Sequence, residues 1–309
     1  MAQRESEIKR ASWIGIFGNA ALAILKVIIG LLAGSLAVVA DGIDSLSDII
    51  TSVITLITAR ILSKPPDIRF PYGYGKADTI ATKSLSFIIF FAGAQLAITS
   101  VRKLVHSETP ELPSKIAIAV TLLSIAGKLL LAWHQKKVGK KTGSDMLVAN
   151  GRNMQNDVFI SVAVLVGLVF TFILKMPVID PIAALVVSIW ILKVAYDIFM
   201  QTNLDLMDGI KDYSIYDDIF KAIDEVEDAY NPHRVRARKI GNKIMVAVDI
   251  EADGKISLQE AHEIAHKVEM SIKSKISNIF DVAIHVEPLG DKTREKKFGL
   301  SKKDFPENK

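Results

Sequence analysis

The sequence predicts a membrane all-α bundle of six transmembrane helices followed by a C-terminal α+β domain. Three observations predict it. Half of the 309 residues are apolar, and residues 12–200 gather them into runs that match the roughly 20 apolar residues a helix needs to cross a bilayer. Near Asp208 the composition turns rich in Lys, Asp and Glu. Beyond it the hydrophobic pattern alternates between helical and strand periods. A transmembrane domain at 1–207, a soluble domain at 208–290 and a charged, disordered tail at 291–309 are therefore expected.

The spans lie near residues 13–33, 36–59, 79–101, 114–133, 146–174 and 177–200. The first runs far past the length of a signal-peptide core, so it reads as a mature span. The fifth is apolar mainly after Asp157, which requires its polar first turns to pack inside a bundle. Basic residues orient the set. Arg4, Lys9 and Arg10 precede the first span, Arg60, Lys64, Arg69 and Lys76 follow the second, and "HQKKVGKK" follows the fourth. The opposite connections carry no such excess, so both termini are expected on the cytoplasmic side. This asymmetry accounts for the formal charge of +4, and the expected partner is a lipid bilayer, with no nucleic acid. The chain has no cysteine, which excludes disulfides, thiolate metal ligands and a cysteine nucleophile.

In the soluble part, Ile215, Ile219, Ile223 and Val226 recur at helical spacing and predict a helix over 214–230. Alternating segments at 234–240 and 243–253, joined by Gly241-Asn242, predict a hairpin. Ser257 with Glu260 forms a capping box that opens a helix over 257–276, and 280–288 reads as a last strand. The order is α-β-β-α-β, with an antiparallel sheet expected.

The segment "ADGIDSLSDI" places three carboxylates inside the second span. Residues advance about 100° along a helix, so Asp41, Asp44 and Asp48 share one face. The fifth span repeats the pattern at an offset of 109 in "ANGRNMQNDV", as Asn150, Asn153 and Asp157. Ionisable groups in membrane helices are costly and face a bundle interior or a water-filled path. Two facing stripes of oxygen ligands make a cation site. Asn150 and Asn153 also suit plain hydrogen bonding between helices. Lys26, Lys83, Lys128 and Asp180 read as packing or snorkelling groups. In the soluble part, His233, Asp249, His262, His285 and Glu287 are singly ordinary, but as a set of imidazoles and carboxylates they can hold a borderline divalent metal. His266 reads as surface.

Taken together, "GNAALAILKVIIGLLAGSLAVVADGIDSLSDI", "RFPYGYGKAD", the "QNDV" helix and "IHVEP" resemble the cation diffusion facilitator family of bacterial metal-efflux transporters. The resemblance implies six membrane helices per protomer, a ferredoxin-like cytoplasmic domain, a homodimer and proton-coupled export of divalent ions across the cytoplasmic membrane. It implies Asp44, Asp48 and Asp157, with Asn153, as the transport site, and His233, Asp249 (in place of a histidine), His262, His285 and Glu287 as the cytoplasmic site, while the stripes themselves add Asp41 and Asn150 as supporting or access residues. Lys76 and Asp208 look like a charge pair tying the glycine-rich loop to the soluble domain. Asn153 stands where zinc- and iron-type members have histidine, and Tyr72 and Tyr74 where zinc-type members have loop histidines, which argues against a loop site at Asp67.

An all-oxygen site gives up the nitrogen ligand that favours zinc, and carboxylate and amide oxygens suit manganese. Mn2+ is thus the expected substrate, with Zn2+, Fe2+, Co2+ and Cd2+ as alternatives. A membrane-anchored metal sensor and a divalent cation channel are the other classes to separate. An intramembrane aspartyl protease fits the doubled stripe poorly, so no enzyme is expected.

Overall fold

A computed structural model describes residues 2–62, 64–106, 111–241, 243–290 and 299–301. Six long helices come first: α1 (Ala2–Leu32), α2 (Leu36–Leu62), α3 (Ala77–His106), α4 (Ile116–Thr142), α5 (Asp145–Leu174) and α6 (Ile179–Leu206). Each outruns the apolar span read from sequence, because polar ends continue the helix past the hydrocarbon-matched stretch. Among the described residues, all of these except α2 are long and apolar enough to cross a membrane. α2, which carries the three aspartates, has 27 residues, as many as α4.

The chain divides into two compact units, Met1–Ile57 with Thr82–Phe199, and Thr58–Ala81 with Met200–Lys309. In the first unit, Ala37, Val38 and Ala40 of α2 bury against Leu85 and Ile89 of α3, Val164 and Leu168 of α5, and Val187 and Ile191 of α6. Large apolar side chains such as Phe91, Leu130, Phe159 and Trp190 remain exposed, as helices bathed in hydrocarbon require. The 109-residue offset extends to packing. A Cβ on Gly30 would stand 2.9 Å from the Val39 amide nitrogen, and one on Gly139 would stand 2.9 Å from that of Val148. The α1–α2 and α4–α5 corners therefore close in the same way, as expected of an internal repeat. At the start of α2, Ser35 Oγ donates to Asp180 Oδ1 at 2.5 Å and the Leu36 amide to Oδ2 at 2.8 Å. Asp180 is thus a packing group that caps a neighbouring helix.

The second unit contains α7 (Ser214–Asp224), β1 (Tyr230–Ile240), β2 (Lys243–Ala252), α8 (Leu258–Lys275) and β3 (Ile279–Pro288). α7 ends six residues short of the expected helix, because Asp228 turns left-handed at φ 67° and releases the chain into β1. The sheet order is β1-β2-β3. β1 and β2 pair antiparallel, but β2 and β3 run parallel. This corrects the antiparallel expectation: α8 is a crossover, and a strand returning through a crossover helix arrives in the same direction. Ile219 and Ile223 of α7 and Val268 and Ile272 of α8 pack on Val235, Val246, Val248 and Ile250, so both helices cover one sheet face. The capping box forms as read, with Ser257 and Glu260 bonded reciprocally.

The glycine-rich loop lies against the β1–β2 turn. A Cβ on Gly75 would stand 2.8 Å from the Gly241 amide nitrogen, so only glycine allows that approach. Asn242, the second turn residue, lies outside the described residues. The disorder expected of the tail also falls largely on residues outside the description, 291–298 and 302–309. Leu300 does pair with Val235 at the edge of β1.

Candidate metal centres

The aspartate stripe of α2 sits in graded surroundings. Asp41 is fully buried, Asp44 half-buried and Asp48 open. Asp48 on α2 lies within electrostatic reach of Asp157 on α5 and of Asp44 on its own helix. Asp44 lies within electrostatic reach of Asp157 and Asp41. Asn150 and Asn153 are exposed on α5, two turns and one turn N-terminal to Asp157.

Two residues that sequence reasoning set aside complete this cluster. Lys26 and Lys128 are neither lipid-facing nor snorkelling: both side chains are 0 % exposed. Lys26 Nζ lies 2.8 Å from Asp41 Oδ1 and donates to Ser45 Oγ at 3.1 Å and Ser161 Oγ at 3.2 Å. Ser161 Oγ in turn donates to Asp41 Oδ1 at 2.9 Å. Lys128 Nζ lies 3.0 Å from Asp157 Oδ2. The signal was present, since a cation at mid-span of an apolar helix is costly unless partnered. Which carboxylate partners it depends on helix packing. Four carboxylates against two ammonium groups leave two uncompensated negative charges, the charge of one divalent cation.

The second cluster is built on the sheet. His233 pairs with Asp249 in the β1–β2 register, and Asp249 with His285 in the β2–β3 register. Register shifts flank His233, and Arg234 adopts a left-handed φ of 49°. Such irregularities re-aim side chains. Among the described residues, His233, Asp249 and Glu287 are the one group of three or more whose ligand atoms lie within 4.8 Å of one another, and all three are buried.

His233 donates Nδ1–H to the Asn231 carbonyl at 2.8 Å, an outer bond typical of metal-binding imidazoles. Its Nε2 then faces Glu287 Oε2 at 3.3 Å. In that tautomer both atoms are acceptors, an arrangement that suits a shared cation. Asp249 Oδ2 takes Arg234 Nη1 at 2.7 Å. His285, half-exposed, reaches Glu287 at 3.4 Å. His262 is exposed on α8, the helix that covers the opposite sheet face, and does not join the group. His266 is exposed near Glu269.

In the loop, Asp67 accepts from Tyr74 Oη at 2.5 Å and from the amides of Arg69 and Phe70 at 2.8 Å. The Tyr74 hydroxyl, and then the Phe70 amide, hold its carboxyl below the usual range. Asp67 is thus occupied by its own loop. Lys76 Nζ meets Asp208 Oδ1 at 2.6 Å, and Arg238 approaches Oδ2 at 3.6 Å, so the loop is tied to the soluble domain.

A helical membrane domain with carboxylates gathered inside it, followed by a small α+β domain with its own cluster, defines a multi-pass membrane transport protein. Residues 12–207 match the family described as the cation efflux transmembrane domain, and residues 212–289 match the cation efflux protein cytoplasmic domain. The manganese efflux system protein MneS of Bacillus subtilis is 32% identical over 296 residues, covering 94% of this chain and 100% of that one. MneP of the same organism is 27% identical over 293 residues, covering 93% and 98%. A metal-bound C-terminal domain of the CzcD transporter from Thermotoga maritima is 45% identical, with a TM-score of 0.25, covering 25% of this chain and 91% of that one. The chain belongs to the cation efflux, or cation diffusion facilitator, family of metal transporters.

Proposed function

We propose that this protein exports divalent metal from the cytoplasm in exchange for protons, with Mn2+ as its principal substrate. The observation that carries the reading is the gathering of four carboxylates, Asp41, Asp44, Asp48 and Asp157, around two buried lysines that pair with Asp41 and Asp157. All candidate ligands there, Asp44, Asp48, Asn153 and Asp157, offer oxygen, which suits manganese better than zinc. The names of MneS and MneP support the same metal.

The chemistry follows from charge. Metal entering from the cytoplasm neutralises the uncompensated carboxylates. At the far side protons replace it on the carboxylates that the two lysines leave uncompensated. The protein works as a homodimer in the bacterial cytoplasmic membrane, with both termini inside. The 208–290 domain binds the same ions through His233, Asp249, Glu287 and His285 and tightens the dimer as their level rises.

The test is uptake into liposomes bearing purified protein and a pH gradient, with Mn2+ and Zn2+ compared in wild type and Asn153→His. Wild type should move Mn2+ with counter-movement of protons, and Asn153→His should shift preference towards Zn2+. Zinc preference in wild type would overturn the manganese assignment. Flux without proton movement would make the protein a channel.

A further inference from the structure

Lys128 has no role in the ligand set described above, yet its placement constrains how that set is filled. It projects from α4, its side chain is wholly buried, and its ammonium rests on Asp157 at 3.0 Å. Asp157 is the one acid α5 contributes to the stripe, so the carboxylate a metal needs is already held by a cation of the protein. Lys26 stands in a different setting. Its ammonium is bonded to Asp41, Ser45 and Ser161 at the closed end of the stripe, where the second oxygen of Asp41 is buried without a partner.

We propose that Lys128 is a tethered counter-ion that competes with the transported cation for Asp157, while Lys26 is a fixed one that holds Asp41 out of the exchange. This rests on the assignment of Asp157 to the transport site. Before metal binds, the lysine spares Asp157 the cost of standing as an unpaired charge in a low-dielectric interior. A metal that takes Asp157 displaces the ammonium, and Asp44, within electrostatic reach of Lys128, is the carboxylate left to receive it. When metal leaves, the lysine returns. Affinity is thereby capped and release is assisted. The two lysines also set the number of uncompensated carboxylates at two, which matches a dication and leaves a monovalent ion under-neutralising the site.

A mere prop for Asp157 predicts the reverse of a competitor, and this makes the two separable. Mn2+ uptake into proteoliposomes is measured for Lys128→Gln, Lys128→Met and Lys128→Arg, with KM and maximal rate resolved. Removing a competing charge in a buried site should lower KM by about tenfold or more and slow turnover through delayed release. Arginine keeps the charge but grips a carboxylate through two parallel bonds, so Lys128→Arg should raise KM. A higher KM in Gln and Met, with Arg close to wild type, would overturn the proposal in favour of a prop. If the uncharged variants fail to fold, the direction of the arginine effect still decides. Asp157→Asn in the same assay tests the underlying assignment: wild-type transport by that variant would remove the site itself, whereas its loss together with a raised KM in Lys128→Gln removes the counter-ion alone.

Discussion

The two charged clusters solve one problem in opposite ways. In the membrane the carboxylates lie along helices at 3.6-residue spacing, and their balancing cations come from elsewhere: Lys26 on α1 and Lys128 on α4. In the soluble domain the groups come from three adjacent strands, and the balancing cation is Arg234, the immediate neighbour of His233. A helix backbone has every hydrogen bond satisfied internally and cannot bend a ligand into place, so remote lysines do the balancing. A strand can bulge, and one bulge delivers both a ligand and its counter-charge. On the function proposed above, oxygen and ammonium make a site that exchanges cations, whereas imidazole and carboxylate make one that holds them.

The comparison can be broken most directly at the acids. Asp48→Ala and Asp157→Ala should each abolish Mn2+ flux, by 100-fold or more, while size-exclusion and circular dichroism show a folded dimer. Flux retained by either would dissolve the distinction between exchanging and holding sites. Asp249→Ala should have a smaller effect on transport, within about threefold at saturating metal, but should remove most of the Mn2+-induced rise in thermal stability of the soluble domain. An unchanged metal-dependent shift would show that the sheet cluster does not hold the ion.

Further down the scale, Ile223→Ala cuts into the core that α7 and α8 share. It should destabilise the soluble domain by about 2–5 kcal/mol, read by chemical denaturation, while leaving the membrane clusters intact. The weakest effect is expected in the loop. Tyr74→Phe removes the largest contributor to the lowered Asp67 pKa, and hydrogen exchange at the Arg69 and Phe70 amides should quicken. Because that carboxyl is depressed in the folded loop, its contribution is full above the ordinary carboxylate range and fades as pH falls through the lowered value. Protection should therefore be lost on acidification, and at a higher pH in Tyr74→Phe than in wild type.

Much of the molecule was determined by sequence alone. Helix number follows from apolar length, the aspartate stripe from its 3-and-4 spacing, the capping box from two residues three apart, and the hairpin from its two-residue turn. These are local properties, in which residues near in the chain must be near in space. Tertiary structure decided the rest. The same apolar pattern is compatible with lysines that snorkel and lysines that are buried, and only the packing of α1 and α4 turned Lys26 and Lys128 onto Asp41 and Asp157. Strand direction likewise depended on how α8 crosses the sheet, which no period records. Of the five residues matched in the soluble domain, Glu287 and His285 share a strand and are legible as neighbours. That His233 and Asp249 join Glu287 while His262 stays on the covering helix depends on the register and bulges of β1. Charges couple through space, and helix packing, strand register and backbone bulges fix which of them meet.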